Sequence, residues 1–293
     1  MDAPSDPLSN DRPPAARWLP AGCLEGKTAV VTGGGTGLGL EISRGLAALG
    51  ARVAVASRST EHHAAFLDEA REHGWAASSH ELDVREPVQI QALADELREQ
   101  HCRVDMLVNN AAGNFVCPAE RLSVNAWRSV LGIVLDGTFY ASKSFGRGMI
   151  RDGGGSILNV VATYAWTGMP GVVHSASAKA GVLAMTKTLA AEWARHKIRV
   201  NAIAPGPFES EGAGANLWPD EASRAKIEQG IPLGRFGTAE EMAAHCLWLL
   251  SPASDYVTGE CVVVDGGGSL AQPFWDSGTR FSRRRAASEE GAE

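Results

Sequence analysis

The chain is expected to fold as α/β, with a doubly wound parallel sheet in a single three-layer domain. Three observations predict this. Short apolar runs alternate with amphipathic stretches along most of the length, so strands are separated by crossover helices. A glycine-rich turn, Gly33-Gly34-Gly35-Thr36-Gly37, stands between the first apolar run and the first amphipathic stretch. The 293 residues, 44% of them hydrophobic, are enough for one large core.

Residues 1–22 are rich in Pro, Asp and Ser and are expected to form a flexible arm. The folded domain is expected over 23–270. Its strands are placed at Thr28–Thr32, Arg52–Ser57, Ala76–Leu82, Met106–Asn109, Ser156–Val161, Arg199–Ala204 and Cys261–Val264. Most of these are short, apolar and β-branched, as strands buried in a parallel sheet are. Helices are expected to start near Gly37, Thr60, Pro87, Ser123, His174 and Thr238, where amphipathic stretches follow the strands. The segment Pro207–Pro232, with Gly212, Gly214 and Trp218, reads as a mobile substrate lid at about 207–232, or equally as a plain surface loop. The tail, 271–293, holds Arg280 and Arg283–Arg285 and is expected to be a solvated end.

Charge and composition exclude several roles. A net charge of −7 and a pI near 5.7 argue against nucleic acid or an anionic membrane as partner. Cys23, Cys102, Cys117, Cys246 and Cys261 are scattered, without a metal-like cluster, and suit a reducing compartment with no bound metal. No stretch has the length of a membrane-spanning helix. The first twenty residues, with three Asp and five Pro, do not resemble a signal peptide, and Gly-Ala-Glu at the end is not a peroxisomal address. A cytoplasmic protein is expected.

The run Thr32-Gly33-Gly34-Gly35-Thr36-Gly37-Leu38-Gly39 follows the first strand and opens the first helix. Glycines let a backbone approach a pyrophosphate, and a helix N-terminus offers free N–H groups. This is the Rossmann-type arrangement. The second expected strand ends at Ser57, followed by Arg58, where an NAD site typically carries an acidic residue. Arg58 suits a 2′-phosphate, so NADPH is the expected cofactor; read alone, Arg58 also fits an ordinary surface arginine. Asp83 and Val84 end the third strand and are placed against the adenine, and small residues at Asn109-Asn110-Ala111-Ala112-Gly113 leave room for the adenosine.

TGxxxGxG, Asn-Asn-Ala-Ala-Gly, the helix bearing Lys179, Ala204-Pro205-Gly206-Pro207 and Val264-Asp265-Gly266-Gly267 occur in that order. Together they resemble the short-chain dehydrogenase/reductase family from about Gly26 to Gly268. Ordinary members act on a carbonyl with Ser, Tyr, Lys and Asn. Projected here, the Ser position is Ala162, the Tyr position Ser175 and the helix Asn position Val134; only Lys179 matches. Either catalysis is lost or the chemistry differs.

The segments Asn110-Ala-Ala-Gly-Asn-Phe115, Ile133-Val-Leu, Thr163-Tyr164, Ser175-Ala-Ser-Ala-Lys-Ala-Gly181 and Leu189-Ala-Ala-Glu-Trp193 are similar to the NADPH-dependent 2,4-dienoyl-CoA reductase subgroup. In that subgroup the working tyrosine sits fifteen residues before the lysine, as Tyr164 does, and an asparagine in the place of Asn114 works beside it. The resemblance implies catalytic roles for Tyr164, Asn114, Lys179 and Ser175. It implies cofactor contacts from Gly33, Gly34, Gly35, Thr36, Gly37, Leu38, Arg58, Asp83, Val84, Lys179, Pro205, Gly206, Pro207 and Phe208. Arg58, Arg85, Phe115 and Ser123 are expected to meet the acyl-CoA substrate. Asn216 stands where the subgroup carries an arginine, a departure in the coenzyme A grip.

The expected activity is NADPH-dependent reduction of a 2,4-dienoyl-CoA thioester to a 3-enoyl-CoA, in β-oxidation of unsaturated fatty acids. Alternatives are a 2-enoyl-CoA reductase and a catalytically silent NADPH-binding protein. By resemblance the chain is expected to be a homotetramer.

Overall fold

The β-branched run Thr28–Thr32 is buried along its whole length, which only a central strand flanked on both faces allows. It forms β1 of a seven-stranded, all-parallel sheet in the computed structural model, which describes residues 12–100, 102–209 and 220–271. The other strands are β2 (Arg52–Ser57), β3 (Ala77–Glu81), β4 (Met106–Asn109), β5 (Gly155–Val160), β6 (Ile198–Pro205) and β7 (Cys261–Val264). The order is β3-β2-β1-β4-β5-β6-β7, so the direction of winding reverses between β1 and β4. Expected and observed strands agree to within a residue at each end.

Alternate residues of each strand point to opposite faces, and the two helical layers follow from that period of two. On one face Ala29, Val31, Val53, Val55 and Val108 pack under α1 (Gly37–Ala48) and the late helix Ala239–Leu250. On the other, Val30, Ala54, Leu107, Ile157 and Val200 pack under α3 (Pro87–Glu99), α5 (Gly137–Asp152) and α7 (Val173–Trp193). The remaining helices are α2 (Ala64–His73), α4 (Val124–Leu131), α6 (Tyr164–Thr167), α8 (Glu221–Gln229) and the late helix, α9.

A buried polar chain fixes α5 and α7 against the sheet. Asn109 Nδ2 donates to Ser142 Oγ at 3.0 Å and to Asn159 Oδ1 at 2.8 Å, and Asn159 Nδ2 donates to Thr186 Oγ1 at 2.8 Å. All four residues are buried, so each missing partner would cost a full desolvation penalty.

The structure departs from one expectation and adds detail to two others. The arm is packed over residues 12–22: a short 3₁₀ turn, Pro14–Ala16, sets Ala15, Ala16 and Leu19 into the core beside α1 and α9. Arg12 donates to the Leu19 carbonyl and Arg17 to the Arg12 carbonyl, which closes the segment on itself. Its Pro-rich composition hid three apolar side chains with a groove to fill. The helix capped by Ser123 does not run regularly; a π-helical turn, Gly132–Asp136, joins α4 to α5. In the span expected as a lid, the described part forms α8, capped by Asp220 and tied down by an Arg224–Glu209 ion pair. Gly212, Gly214, Asn216 and Trp218 lie outside the described residues, as does the tail beyond Ala271, including Arg280 and Arg283–Arg285.

Candidate active site

Strand carboxyl ends in a doubly wound sheet open a crevice where the winding reverses, and the candidate residues gather there. β1 runs into the glycine-rich turn and α1. Thr32 Oγ1 accepts from the backbone N–H groups of Asn110 and Ala111 at 3.1 Å each, and Asn110 Nδ2 donates to the Thr32 and Gly33 carbonyls. The glycine turn is thereby stitched to the end of β4. A Cβ on Gly39 would lie 2.1 Å from the Gly33 carbonyl oxygen, so the turn closes onto α1 only with glycine there. Thr36 precedes the helix without a side-chain capping bond, which leaves first-turn N–H groups to a ligand.

A cleft of about 500 Å³ adjoins this turn, lined by Gly33, Thr36, Ser57, Arg58, Ser59, His62, Asp83, Val84, Asn110, Ala112 and Ile133 among others. Glycine cradle, open helix N-terminus and a cleft wall ending in Ser57-Arg58 fit a nicotinamide dinucleotide. A larger cavity, about 680 Å³, lies at the amino ends of the strands beside Lys27, Arg103, Asp105 and Arg199. It touches none of the candidate residues.

The four expected catalytic residues come from three elements. Asn114 lies on the loop after β4, Tyr164 opens α6 directly after β5, and Ser175 and Lys179 sit one turn apart on α7. Asn114 Oδ1 accepts from the Phe115 N–H at 2.9 Å, which turns Nδ2 toward the Tyr164 hydroxyl, 3.5 Å away. The Tyr164 hydroxyl lies 3.1 Å from Ser175 Oγ. Burial raises the Tyr164 pKa, partly offset by the Ser175 hydrogen bond, so the phenol stays a proton-bearing donor at neutral pH. Lys179 is 6% exposed, and its Nζ donates to the Val160 carbonyl at 2.5 Å. Desolvation lowers its pKa to about 8.

Ala162, Val134 and Ser175 are the residues onto which the resemblance projects the usual Ser, Asn and Tyr. Val134 falls within the π-turn and is buried. The Tyr164 hydroxyl and the Asn114 carboxamide meet beside Ser175 instead.

The remaining expected contacts divide. Arg58 is exposed on the cleft wall. Arg85 is folded back on Asp83, its Nε 3.0 Å from both carboxylate oxygens, and this guanidinium holds Asp83 below the usual carboxylate range. Phe115 packs at a tilt on the His174 ring, centroids 4.5 Å apart. Ser123 is exposed and caps α4, accepting from the Ala126 N–H at 3.1 Å. Pro205 ends β6, Gly206 donates to the Val264 carbonyl, the Pro207 carbonyl accepts from Gly237 and Phe208 bridges Gly237.

Two histidines escaped the sequence reading. His174, next to Ser175, is fully buried with neither ring nitrogen partnered. His63 is fully buried between Ser57 and Ser79. Their burial comes from residues distant in sequence, Phe115 against His174 and Ser79 against His63.

The family model described as enoyl-(acyl carrier protein) reductase matches residues 33–269. A probable 2,4-dienoyl-CoA reductase, (2E)-enoyl-CoA-producing, from Bacillus subtilis is 43% identical over 83% of this chain and 97% of that protein. A peroxisomal 2,4-dienoyl-CoA reductase, (3E)-enoyl-CoA-producing, from Pongo abelii is 40% identical over 92% of this chain and 93% of its own length. Among solved structures, a gluconate 5-dehydrogenase from Burkholderia cenocepacia, in complex with NADP and tartrate, superposes with a TM-score of 0.81 at 35% identity. The match covers 85% of this chain and 97% of that one.

Proposed function

Since the chain belongs to the short-chain dehydrogenase/reductase family, we propose that it is an NADPH-dependent 2,4-dienoyl-CoA reductase, an oxidoreductase acting on a CH–CH group. The observation that carries this reading is the convergence of Asn114, Tyr164 and Ser175 beside Lys179, with no tyrosine on α7 four residues before the lysine.

Reducing a ketone leaves a localised alkoxide that an acid must protonate. Adding hydride to the distal carbon of a dienoyl thioester instead spreads charge onto the thioester oxygen. Such a transition state is stabilised by hydrogen-bond donors already aimed at that oxygen. Tyr164 O–H and Asn114 N–H₂ are donors of this kind, held by Ser175 and by the Phe115 backbone. When bound, the nicotinamide supplies the hydride. Lys179 holds the nicotinamide ribose in this proposal and adds positive charge beside the developing anion. Protonation of the dienolate at its α carbon gives the 3-enoyl-CoA.

The glycine turn Gly33–Leu38 holds the pyrophosphate, Arg58 the 2′-phosphate, Asp83 and Val84 the adenine, and Pro205–Phe208 the nicotinamide side. Phe115 and Ser123 face the acyl-CoA. The absence of an acid at Ser57 and the presence of Arg58 support NADPH over NADH. Our proposal further takes the working form to be a homotetramer in the cytoplasm.

The test is steady-state NADPH oxidation with 2,4-hexadienoyl-CoA, crotonyl-CoA and acetoacetyl-CoA, with the product identified by NMR. Turnover confined to the dienoyl thioester, with a 3-enoyl product, is expected. Equal turnover of crotonyl-CoA would assign a 2-enoyl reductase instead, and tight NADPH binding without any turnover would assign a silent binding protein.

A further inference from the structure

One wall of the cofactor cleft is built from Ser57, Arg58 and Ser59 at the end of β2, and the turn that follows adds His62. That 3₁₀ turn, Thr60–His63, leads into α2, and its two histidines differ in surroundings. His63 is buried and hydrogen-bonded to Ser57 and Ser79. His62 is exposed and lines the cleft together with Arg58. Its main chain is fixed against the phosphate turn: a Cβ on Gly35 would fall 2.6 Å from the His62 carbonyl oxygen. The His62 ring is thus carried by backbone held between the glycine cradle and the anchored His63.

A 2′-phosphate would carry about −1.5 to −2 charge near neutral pH and offer only acceptor oxygens. The hydroxyl hydrogen of Ser57 is committed to the Ser59 carbonyl, 2.8 Å away, so Ser57 has none to give such a group. Arg85 is paired with Asp83, itself a cleft residue, and burial keeps His63 neutral. Arg58 alone leaves part of the phosphate charge unmatched. Among the cleft-lining residues, His62 is the other side chain that can become a cation. The charged and titratable groups around it are Arg58 on the wall, Glu61 and His63 on its own turn, His80 and Glu81 on β3, and the Asp83–Arg85 pair. The first turn of α2 holds no acidic residue. Imidazole side chains are charged below about pH 6.5, and a neighbouring phosphate favours the charged form.

We propose that His62 is a specificity-determining residue for the cofactor, a second cation that pairs with the 2′-phosphate beside Arg58. The protonated ring makes the pair, so the contribution of His62 is present at mildly acidic pH and is lost as pH rises toward 8.5. A nucleotide with a plain 2′-hydroxyl gains nothing from His62 at either pH. The inference rests on the proposed NADPH reading and adds to it a second residue at the phosphate and a pH dependence of cofactor choice.

The test measures dissociation constants of the full-length chain for 2′,5′-ADP and 5′-AMP at pH 6.5 and 8.5 in low salt, with wild type, His62→Gln and His62→Lys. Wild type is expected to favour 2′,5′-ADP. If it does not, the NADPH reading itself fails, independently of His62. His62→Gln is expected to weaken 2′,5′-ADP about threefold to fivefold at pH 6.5, the range of an exposed ion pair, and less than about twofold at pH 8.5. 5′-AMP is expected to bind all three proteins alike. The phosphate's own second ionisation, near pH 6, is common to the three proteins, so each comparison is made at one pH. His62→Lys, whose charge persists, is expected to match wild type at pH 6.5 and to bind 2′,5′-ADP more tightly than wild type at pH 8.5. The side chain is exposed, so these substitutions leave the core untouched. Equal weakening of both nucleotides by His62→Gln, no weakening at pH 6.5, a loss as large at pH 8.5, or a His62→Lys protein no tighter than His62→Gln would overturn the proposal.

Discussion

The Asn114 carboxamide nitrogen stands 3.5 Å from the Tyr164 hydroxyl, across fifty residues of sequence and two separate strand ends. Each partner is oriented by a further bond, Asn114 through the Phe115 N–H and Tyr164 through Ser175. Two oriented donors side by side are what the oxyanion hole proposed above requires, and such sites act through preorganisation.

Asn114→Ala is expected to lower kcat on a dienoyl-CoA by about 10². Asn114→Asp is expected to be at least as damaging, since a carboxylate would face the developing anion. Stopped-flow NADPH oxidation under saturating substrate checks both. A change in KM alone would move Asn114 from charge stabilisation to plain binding.

Lys179 carries a pKa lowered to about 8 by desolvation. Below that pH the free protein holds an ammonium; above it, a neutral amine. kcat/KM for NADPH is therefore expected to fall as pH rises through about 8, approaching about tenfold per pH unit. In Lys179→Arg, whose charge persists, that limb is expected to disappear, and a limb unchanged by the substitution would assign it to another group.

Burial lowers the pKa values of His63 and His174. A depressed folded value means stability is complete above the unfolded value of about 6.5 and is lost as pH falls below it, because the unfolded chain binds the proton first. The expected slope approaches about 1.4 kcal/mol per pH unit for each ring. His174 has no hydrogen-bond partner, so His174→Leu is expected to raise stability by about 1 kcal/mol, roughly 2–4 °C in Tm. Urea unfolding at pH 7.5 and 5.5 measures both effects. A lower unfolding free energy for His174→Leu would contradict the unsatisfied ring.

Arg58 and Arg85 look alike in sequence and differ in surroundings. Arg58 is exposed on the cleft wall, whereas Arg85 is engaged by Asp83. Arg58→Ala is expected to weaken NADPH binding about tenfold to a hundredfold while leaving NADH unchanged. Arg85→Ala is expected to change NADPH affinity less than threefold. Fluorescence titration of each variant distinguishes them, and the reverse ranking would reassign the 2′-phosphate to Arg85.

Much of the fold was legible because a buried parallel strand announces itself. Val30, Val31 and Val53–Ala56 sit in unbroken apolar runs bounded by turn residues, and these runs became β1 and β2 almost to the residue. That Tyr164 comes to the helix of Lys179, where it meets Ser175, was implied by the resemblance, and only a short turn separates the two helices. The packed segment at Ala15, Ala16 and Leu19 was not legible, because its order comes from a groove made by α1 and α9, far along the chain. The π-turn at Gly132–Asp136 adds one residue to a helical turn without changing local propensity, so composition carries no trace of it. His63 and His174 gain their character from burial by distant residues, which no local pattern encodes.

The most direct measurement is the single-turnover rate of NADPH oxidation with 2,4-hexadienoyl-CoA, comparing wild type with Tyr164→Phe at matched cofactor occupancy. Phenylalanine keeps the ring and removes only the hydroxyl that meets Asn114 and Ser175. A fall of about 10²–10³ in rate, with the NADPH dissociation constant unchanged, is expected. An undiminished rate would contradict the assignment of Tyr164 to the thioester oxygen and, with it, the dienoyl-CoA reductase mechanism derived from this site.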